Sequence, residues 1–322
     1  MRAKIIGTGS CLPKKIATNY DLSKVVDTND EWIQSRTGIC QRHLVSSLDE
    51  TSTSMAVTAA TLALEDAHLL PEELDLILVA TVSGDFLTPS TACVVQRELH
   101  AIHATAFDIN AACSGFLFAL NTVDAYFQAG IYRTALIIGV ETLSKLIDWS
   151  DRSTCVLFGD GAGAIVAKAD TNGMIASLQG SDGTNADVLS CPNRSNHNPY
   201  ISSTPEPAYL SMNGQEVFKF AVKKVPQCIQ DLLKQVDLTP DDVTYYLLHQ
   251  ANYRIISSIA RKLKQPLSKF PSNVDKCGNT SAASIPILLD EVHKQGLLKE
   301  NDTIVLSGFG AGLTWGAAIF QW

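Results

Sequence analysis

One helix of this 322-residue chain is apolar on nearly every face. It follows a predicted strand within the segment FDINAACSGFLFALNTV, residues 107–123, and side chains such as Phe116 and Val123 cover all its sides. A helix of this kind is buried. Its first turn nevertheless holds Cys113 and Gly115, although glycine inside a helix costs about 1 kcal/mol relative to alanine. Small residues at this point leave room for a reacting group to enter beside a buried helix.

Strand-like runs alternate with helical periodicity along the rest of the chain. This alternation predicts layers of helices and sheets, an α/β fold. The predicted strands include 74–82, 134–140, 243–250 and 302–309, and the predicted helices include 51–68, 113–129, 215–236, 252–264 and 280–295.

The pattern repeats at an offset of about 168 residues. ELDLILVAT corresponds to DVTYYLLHQ, TALIIGVE corresponds to TIVLSGFG, and the helix after Cys113 corresponds to the helix after Asn279. The repeat predicts a duplicated fold with halves 1–170 and 171–322. If the halves pack about a pseudo-twofold axis, the strand ends and helix starts of both face one cleft, where open α/β sheets bind ligands.

Three residues that would face that cleft have suitable chemistry for nucleophilic attack on a carbonyl. Cys113 starts a buried helix, where the helix dipole and free N–H groups favour the thiolate. His249 closes a strand within LLHQAN and can assist a cysteine nucleophile, and Asn279 starts the equivalent helix within CGNTSAAS. The pattern alone leaves a second interpretation open, in which Cys113 is one more buried cysteine and the other two are cap or loop residues.

Composition excludes several classes of protein. The net charge of −8 argues against nucleic acid as the main partner. The N-terminal apolar run is too short for a secretory signal, and no window approaches 18 uninterrupted apolar residues, so we expect a cytoplasmic protein that does not enter a membrane. The eight cysteines form no CxxC pair and the histidines form no metal-ligand frame, which predicts no metal site.

Six segments along the chain resemble the signatures of one enzyme family, β-ketoacyl-acyl carrier protein synthase III, a group of thiolase-fold condensing enzymes. The resemblance covers essentially the whole chain and implies a duplicated thiolase-like fold with α-β-α-β-α layers. The segments are DEWIQSRTGI (30–39), AACSGF (111–116), FGDGAGA (158–164), HQANYRI (249–255), GNTSAAS (278–284) and GFGAGLTWG (308–316).

The resemblance implies a Cys-His-Asn triad of Cys113, His249 and Asn279. An acyl-CoA would acylate Cys113, and malonyl-acyl carrier protein would then lose carbon dioxide and attack the thioester, the initiating condensation of fatty acid synthesis. His249 and Asn279 would donate hydrogen bonds to the enolate oxygen. The N–H groups of Cys113 and Ala311 would form the oxyanion hole, with Ala311 standing where the family usually carries glycine. The resemblance further implies a homodimer and no cofactor, because the CoA thioester is a substrate.

The CoA site is implied by the first segment. Trp32 would stack on the adenine with Arg152 on its other face, and Thr28 and Arg36 would lie nearby. Indole and guanidinium planes both stack on a base, and a guanidinium such as that of Arg36 pairs with phosphate.

A carrier protein of this kind is acidic, so an acidic enzyme needs a local basic patch to bind it. The segment 252–270 is rich in basic residues without an acidic one, and a second basic pair lies on the preceding helix. A charge cluster of this kind is otherwise simply a solvated face. The residues predicted for docking are Lys219, Arg254, Arg261 and Lys262.

Other functions remain as alternatives at this point. Thiolases use a second catalytic cysteine and elongating ketoacyl synthases a second histidine where this chain has Asn279, which argues against both. A thiolase-fold acyltransferase, or a specialised condensing enzyme of secondary metabolism with a different acceptor, is an alternative that release of carbon dioxide from malonyl-acyl carrier protein would test. A non-catalytic module that binds acyl carriers would not become acylated at Cys113.

We predict the length of the acyl primer from SGDFLTPSTAC, residues 83–93. The resemblance implies that the residue before the proline, here Thr88, projects into the acyl pocket of the partner subunit, where short-primer enzymes carry a bulky aromatic side chain. Each extra methylene buried there adds about 0.8 kcal/mol of favourable transfer. Octanoyl-CoA or decanoyl-CoA should therefore serve at least as well as acetyl-CoA, and Thr88→Phe should suppress the long primers selectively. The check is kcat/KM for acetyl-CoA and decanoyl-CoA in both proteins, and a strong acetyl preference of the parent would contradict it.

Overall fold

The computed structural model describes residues 1–201 and 208–322. The strands, in chain order, are β1 Arg2–Cys11, β2 Lys15–Thr18, β3 Gln41–Leu44, β4 Leu76–Ala80, β5 Thr105–Ile109, β6 Thr134–Glu141, β7 Gly161–Asp170, β8 Met174–Ser181, β9 Leu189–Ser190, β10 Ser211–Met212, β11 Tyr245–Leu248, β12 Thr303–Gly310 and β13 Thr314–Gln321. The α-helices are α1 Asn19–Leu22, α2 Asp30–Thr37, α3 Ser52–Ala67, α4 Thr91–Leu99, α5 Gly115–Gln128, α6 Gly214–Gln235, α7 Tyr253–Leu263, α8 Val274–Cys277 and α9 Ser284–Lys294.

Two sheets with corresponding strand orders form the frame of the protein. The first has the order β1-β7-β6-β4-β5 and the second β11-β12-β13-β8. β4 runs parallel to β6 as β11 does to β12, and β6 is antiparallel to β7 as β12 is to β13. The start of β12 at Thr303 lies 169 positions after the start of β6 at Thr134, close to the offset found in the sequence. The division of the chain after residue 170 stays a prediction.

Helices fill the space between the sheets and cover both outer faces. Leu120 of α5 and Leu288 of α9 share one core with Leu78 of the first sheet and Leu306 of the second, so α5 and α9 form the middle layer. Neighbouring residues of a strand point to opposite faces, and Val79 accordingly packs against α3 and α4 on the outside. α6 and α7 cover the outer face of the second sheet. The predicted α-β-α-β-α order is confirmed.

The apolar helix after Cys113 lies in the middle layer, as its composition predicts. It begins later than expected, because residues Ala112–Ser114 form a 3-10 turn and α5 starts at Gly115. A Cβ on Gly115 would lie 3.1 Å from the Cβ of Ala80. Close packing against β4 therefore gives this glycine a structural reason, in addition to the access for a reacting group that we expected.

Two further glycines let the halves touch at the helix starts. A Cβ on Gly139 of β6 would collide with the carbonyl oxygen of Ala282, in the turn before α9. A Cβ on Gly310 of β12 would lie 2.7 Å from the backbone nitrogen of Cys113, in the turn before α5. Each strand end reaches the turn of the other half only because no side chain intervenes.

Within residues 1–201 and 208–322, the helices lack the combination of length and apolar character that a bilayer crossing needs.

Candidate active site

The three residues of the predicted triad line one cavity of about 970 Å³. Cys113 comes from the 3-10 turn before α5, His249 directly follows β11, and Asn279 lies between α8 and the 3-10 turn before α9. All three are buried, with 3–8% of their surface exposed. Residues from both halves therefore meet in one site, as the repeat predicts.

The surroundings of Cys113 oppose its ionisation. Burial raises the pKa of the Cys113 thiol to about 12, a hydrogen bond with the Ser281 side chain opposes this rise, and the charge of Glu141 adds to it. From the sequence we expected a thiolate at a helix start. In the free protein the effect of burial is larger, and Cys113 is a neutral thiol at pH 7.

His249 is held as a neutral imidazole. Burial lowers the pKa of His249 to about 3, and its ring packs edge-on against Phe309 with centroids 5.4 Å apart. Nδ1 lies 2.6 Å from the hydroxyl oxygen of Ser284, which also accepts a hydrogen bond from the N–H of Gln250 at 3.4 Å. Because that oxygen already accepts a hydrogen bond, its own proton is suited to donate to Nδ1, which assigns the imidazole proton to Nε2.

The side-chain amide of Asn279 is oriented by its own turn. Its Oδ1 accepts a hydrogen bond from the N–H of Ser281 at 2.8 Å. Its backbone bridges to the segment before β7, donating to the carbonyl of Leu157 at 2.9 Å and accepting from the N–H of Gly159 at 3.0 Å. With Oδ1 occupied, the two protons on Nδ2 are the donors available to a ligand in the cavity.

The segment after β12 borders the nucleophile. Gly310 lines the cavity and its backbone lies against that of Cys113. Ala311 comes next and is half-buried. Gly312 has a positive φ of 138°, whereas Ala311 does not have a positive φ. Alanine at position 311 therefore needs no backbone conformation that favours glycine.

Two of the four residues predicted for CoA line the cavity, and a third, Arg152, packs against one of them. Trp32 and Arg36 line the cavity, and the guanidinium carbons of Arg36 and Arg152 lie 4.9 and 5.1 Å from the Trp32 ring centroid. A base stacked between Trp32 and Arg152 needs about 7 Å between them, two contacts of about 3.5 Å. Arg152 must therefore move outward to admit one. The hydroxyl of Thr28 is buried without a hydrogen-bond partner in the described part of the chain.

The predicted docking residues divide into two groups. Lys219 of α6 and Arg254 of α7 line the cavity, and Lys219 also pairs with Glu216 at 2.7 Å. Arg261 and Lys262 are exposed near the other end of α7 and do not line the cavity.

Thr88 lies on an exposed loop and does not line the cavity of its own chain. Its neighbours Phe86 and Leu87 are 60% and 72% exposed. A role for Thr88 in an acyl pocket requires a second subunit and stays a prediction.

Two residues that contact the triad, and one that contacts it through Ser281, were missed in the sequence. Ser284 contacts His249, Ser281 contacts Asn279, and Glu141 accepts a hydrogen bond from Ser281 at 3.1 Å. The two serines stand within GNTSAAS and could have been singled out there. For Glu141 the only signal is one acidic residue at the end of an apolar strand.

Two family models match parts of the chain. One, described as 3-oxoacyl-[acyl-carrier-protein (ACP)] synthase III, matches residues 107–183. The other, described as the C-terminal part of the same enzyme, matches residues 233–322.

Curated relatives and solved structures agree with these matches. Beta-ketoacyl-[acyl-carrier-protein] synthase III of Clostridium acetobutylicum is 50% identical over 99% of this chain and 98% of the relative. The crystal structure of 3-oxoacyl-[acyl-carrier-protein] synthase III from Aquifex aeolicus is 45% identical, with a TM-score of 0.92 over 99% of this chain and 100% of that one. The priming beta-ketosynthase of the R1128 polyketide biosynthetic pathway is 33% identical, with a TM-score of 0.91 over 99% and 96%.

The buried imidazole makes stability depend on pH. His249 titrates near 6.5 when unfolded but has a pKa of about 3 in the folded chain. The neutral form thus stabilises the fold above pH 6.5, and this contribution is lost as pH falls below 6.5. Between pH 7 and 5 the loss is about 2 kcal/mol.

We expect His249→Gln to remove this dependence. Urea unfolding at pH 7, 6 and 5 should show the free-energy difference between parent and variant changing by about 2 kcal/mol over that range. His103→Gln, at an exposed histidine, is the control. Parallel curves for the parent and His249→Gln would contradict the assignment.

Proposed function

Because this chain belongs to the β-ketoacyl-acyl carrier protein synthase III family, we propose that Cys113, His249 and Asn279 carry out its condensation reaction. The family resemblance of the six sequence segments is confirmed by 50% identity over 99% of the chain. The chain is thus an acyltransferase that starts fatty acid synthesis. The observation that carries the residue assignment is that a buried thiol, a neutral imidazole and an oriented amide line one cavity.

In the first half-reaction, the sulfur of Cys113 attacks the carbonyl carbon of an acyl-CoA. The thiol loses its proton, the new C–S bond forms, and the bond to the CoA sulfur breaks, so that CoA leaves and takes up a proton. The N–H groups of Cys113 and Ala311 stabilise the oxyanion of the tetrahedral intermediate. The backbone contact between Gly310 and Cys113 supports this role, because it brings the segment of Ala311 to the nucleophile.

In the second half-reaction, malonyl-acyl carrier protein loses carbon dioxide. The electron pair of the broken C–C bond stays on the thioester as an enolate, which attacks the acyl group on Cys113 and releases the sulfur. His249 through Nε2 and Asn279 through Nδ2 donate hydrogen bonds to the enolate oxygen. Both are neutral donors, so neither has to change its charge as the negative charge develops.

CoA enters past Trp32 in this proposal. Its adenine lies on the indole after Arg152 swings away, and Arg36 pairs with a phosphate. The position of Thr28 supports the assignment, because the carbonyl of its neighbour Asp27 accepts a hydrogen bond from Arg152 at 3.1 Å, beside the Trp32 indole.

The acyl carrier protein approaches the same entrance. Lys219 and Arg254 line the cavity through which its prosthetic arm must reach Cys113, so their charges act on the docked complex. Arg261 and Lys262 are exposed further along α7, where their charges attract the acidic carrier protein before it docks.

The active assembly in this proposal is a homodimer in the cytoplasm that needs no further cofactor. β5 is an edge strand of the first sheet and Phe86 and Leu87 are exposed, which suits pairing with a second copy. All eight cysteines are free thiols, as is typical of proteins in a reducing compartment. Thiol, imidazole and amide supply the chemistry. The effect predicted for Thr88 depends on this pairing.

We expect Cys113→Ala to abolish condensation but to retain decarboxylation of malonyl-acyl carrier protein, because His249 and Asn279 remain. Product formation and release of labelled carbon dioxide are measured in parallel. Cys155→Ala, at a second buried cysteine, is the matched control and should keep both activities.

A Cys113→Ala variant that still condenses would overturn the nucleophile assignment. A parent enzyme that is acylated at Cys113 but releases no carbon dioxide would instead favour an acyltransferase with another acceptor, such as a specialised condensing enzyme of secondary metabolism.

For docking, we expect Arg254→Glu to lower kcat/KM for malonyl-acyl carrier protein by about tenfold while acylation by acyl-CoA stays near the parent rate. Higher salt should reproduce the effect, because exposed charges are screened over roughly 8–10 Å. Arg97→Glu, at an exposed position of α4, is the charge-matched control. Equal losses in both half-reactions would show that Arg254 has a structural role.

A further inference from the structure

Glu141 ends β6 as a carboxyl group without access to water. It accepts hydrogen bonds from the hydroxyls of Thr81, Ser83 and Ser281 and from the N–H of Val82. Within the described residues these donors are all neutral, and a buried carboxylate without a cationic partner is energetically unfavourable. The burial of this carboxyl group therefore indicates that it has a role beyond packing.

Ser281 links Glu141 to the nucleophile. Its hydroxyl donates to Oε1 of Glu141 at 3.1 Å. With that proton engaged, the Ser281 oxygen is left as the acceptor for the Cys113 side chain, its other hydrogen-bond partner. Ser281 is only 3% exposed. Ser281 thus links the Cys113 thiol, which lines the cavity, to the Glu141 carboxylate, and both Ser281 and Glu141 are buried behind it.

The equivalent turn before α5 has the same backbone conformation without a serine or a carboxyl group at the corresponding positions. At the offset of 169 residues, Ala112 corresponds to Ser281 and Gly310 to Glu141. Ala112 has φ 47° and Ser281 has φ 49°. The N–H of Ala112 donates to Oδ1 of Asn110 at 3.2 Å, as that of Ser281 does to Asn279. Alanine and glycine are therefore sufficient for this turn and strand end.

We propose that Glu141 accepts the proton of Cys113 through Ser281 when the enzyme is acylated, and returns it when condensation releases the sulfur. The proposal rests on the proposed function, since it concerns the proton of the same nucleophile. In acylation the S–H bond breaks, that proton joins the Ser281 oxygen, and the original Ser281 proton passes to Glu141. CoA leaves as a thiolate and is protonated by solvent. In condensation the Cys113 thiolate regains its proton along the same path, and Glu141 is again an anion.

The transfer keeps the buried charge constant. Before it, the negative charge is on Glu141; after it, the charge is on the attacking sulfur and then on departing CoA. Burial raises the pKa of Glu141 to about 7, against the opposing hydrogen bonds of Ser83 and Val82, which suits a group that gains and loses a proton at neutral pH. The acyl-enzyme then meets malonyl-acyl carrier protein with a neutral Glu141, which favours the negatively charged enolate.

Charged neighbours do not replace Glu141 in this role. Cys113 faces it from the turn before α5, and His249 in the same cavity is neutral. Asp160 beyond the strand end is bonded to Ser144, and Lys145 pairs with Asp85 at 3.6 Å.

The test separates the half-reactions of the parent, Glu141→Gln and Ser281→Ala. Acylation of Cys113 by labelled acyl-CoA should fall about 100-fold at pH 7 in both variants. Decarboxylation of malonyl-acyl carrier protein without a primer should stay at or above the parent rate in Glu141→Gln, because the repelling charge is gone. The parent acylation rate should rise with pH around 7 as Glu141 ionises, and Glu141→Gln should lack this rise.

Asp290→Asn is the matched control, since Asp290 is also a buried carboxyl group bonded to a hydroxyl, that of Thr8 at 2.8 Å. It should leave both half-reactions and the pH profile unchanged. Acylation at the parent rate in Glu141→Gln and Ser281→Ala would overturn the proposal, and so would equal losses in both half-reactions, the result of a structural role. A parent enzyme that is not acylated at all would instead contradict the proposed function.

Discussion

The site depends on a backbone contact between the two halves. Gly139 reaches the turn before α9 and Gly310 reaches the turn before α5, each at a distance that a Cβ would prevent. Because α5 and α9 are buried between the sheets, their first turns can be approached only from the strand ends. This contact brings Cys113 of one half into the cavity that also contains His249 and Asn279 of the other.

Burial at that contact sets the electrostatics of the chemistry. It keeps the Cys113 thiol and the His249 imidazole neutral by disfavouring their charged forms. A neutral imidazole is a better preorganised donor to an enolate than one that must first lose or gain a proton, and the amide of Asn279 has no charge to change. The same burial makes it difficult to deprotonate Cys113, so in the proposed mechanism the proton acceptor is itself inside.

Local periodicity predicted the α/β class and the repeat, and the family motifs implied the order of the layers and the triad. The all-apolar segment after Cys113 can be buried on every side only in a middle layer, and α5 lies there. Patterns do not record which polar atoms meet across 140 residues of chain, as Glu141 and Ser281 do. Nor do they show whether the helix start, which lowers the pKa of a thiol, or burial, which raises it, has the larger effect. We therefore expected a thiolate at Cys113, where the free protein has a neutral thiol.

Because the two halves have equivalent elements, a position at which their residues differ indicates a difference in role. The four strands of the second sheet correspond to four of the five strands of the first. The middle helices of both halves begin with equivalent turns, in each of which an asparagine oxygen accepts from the corresponding backbone N–H. At the position next to the turn, one half has Gly310, which has no side chain beside the Cys113 nitrogen, and the other has Glu141, whose carboxyl group accepts a hydrogen bond from Ser281 of the turn. In the proposed mechanism an oxyanion has to approach an open backbone N–H, whereas a proton has to leave along a closed polar path. The two related positions therefore differ as the two needs of one nucleophile differ, which a symmetric pair of residues could not meet.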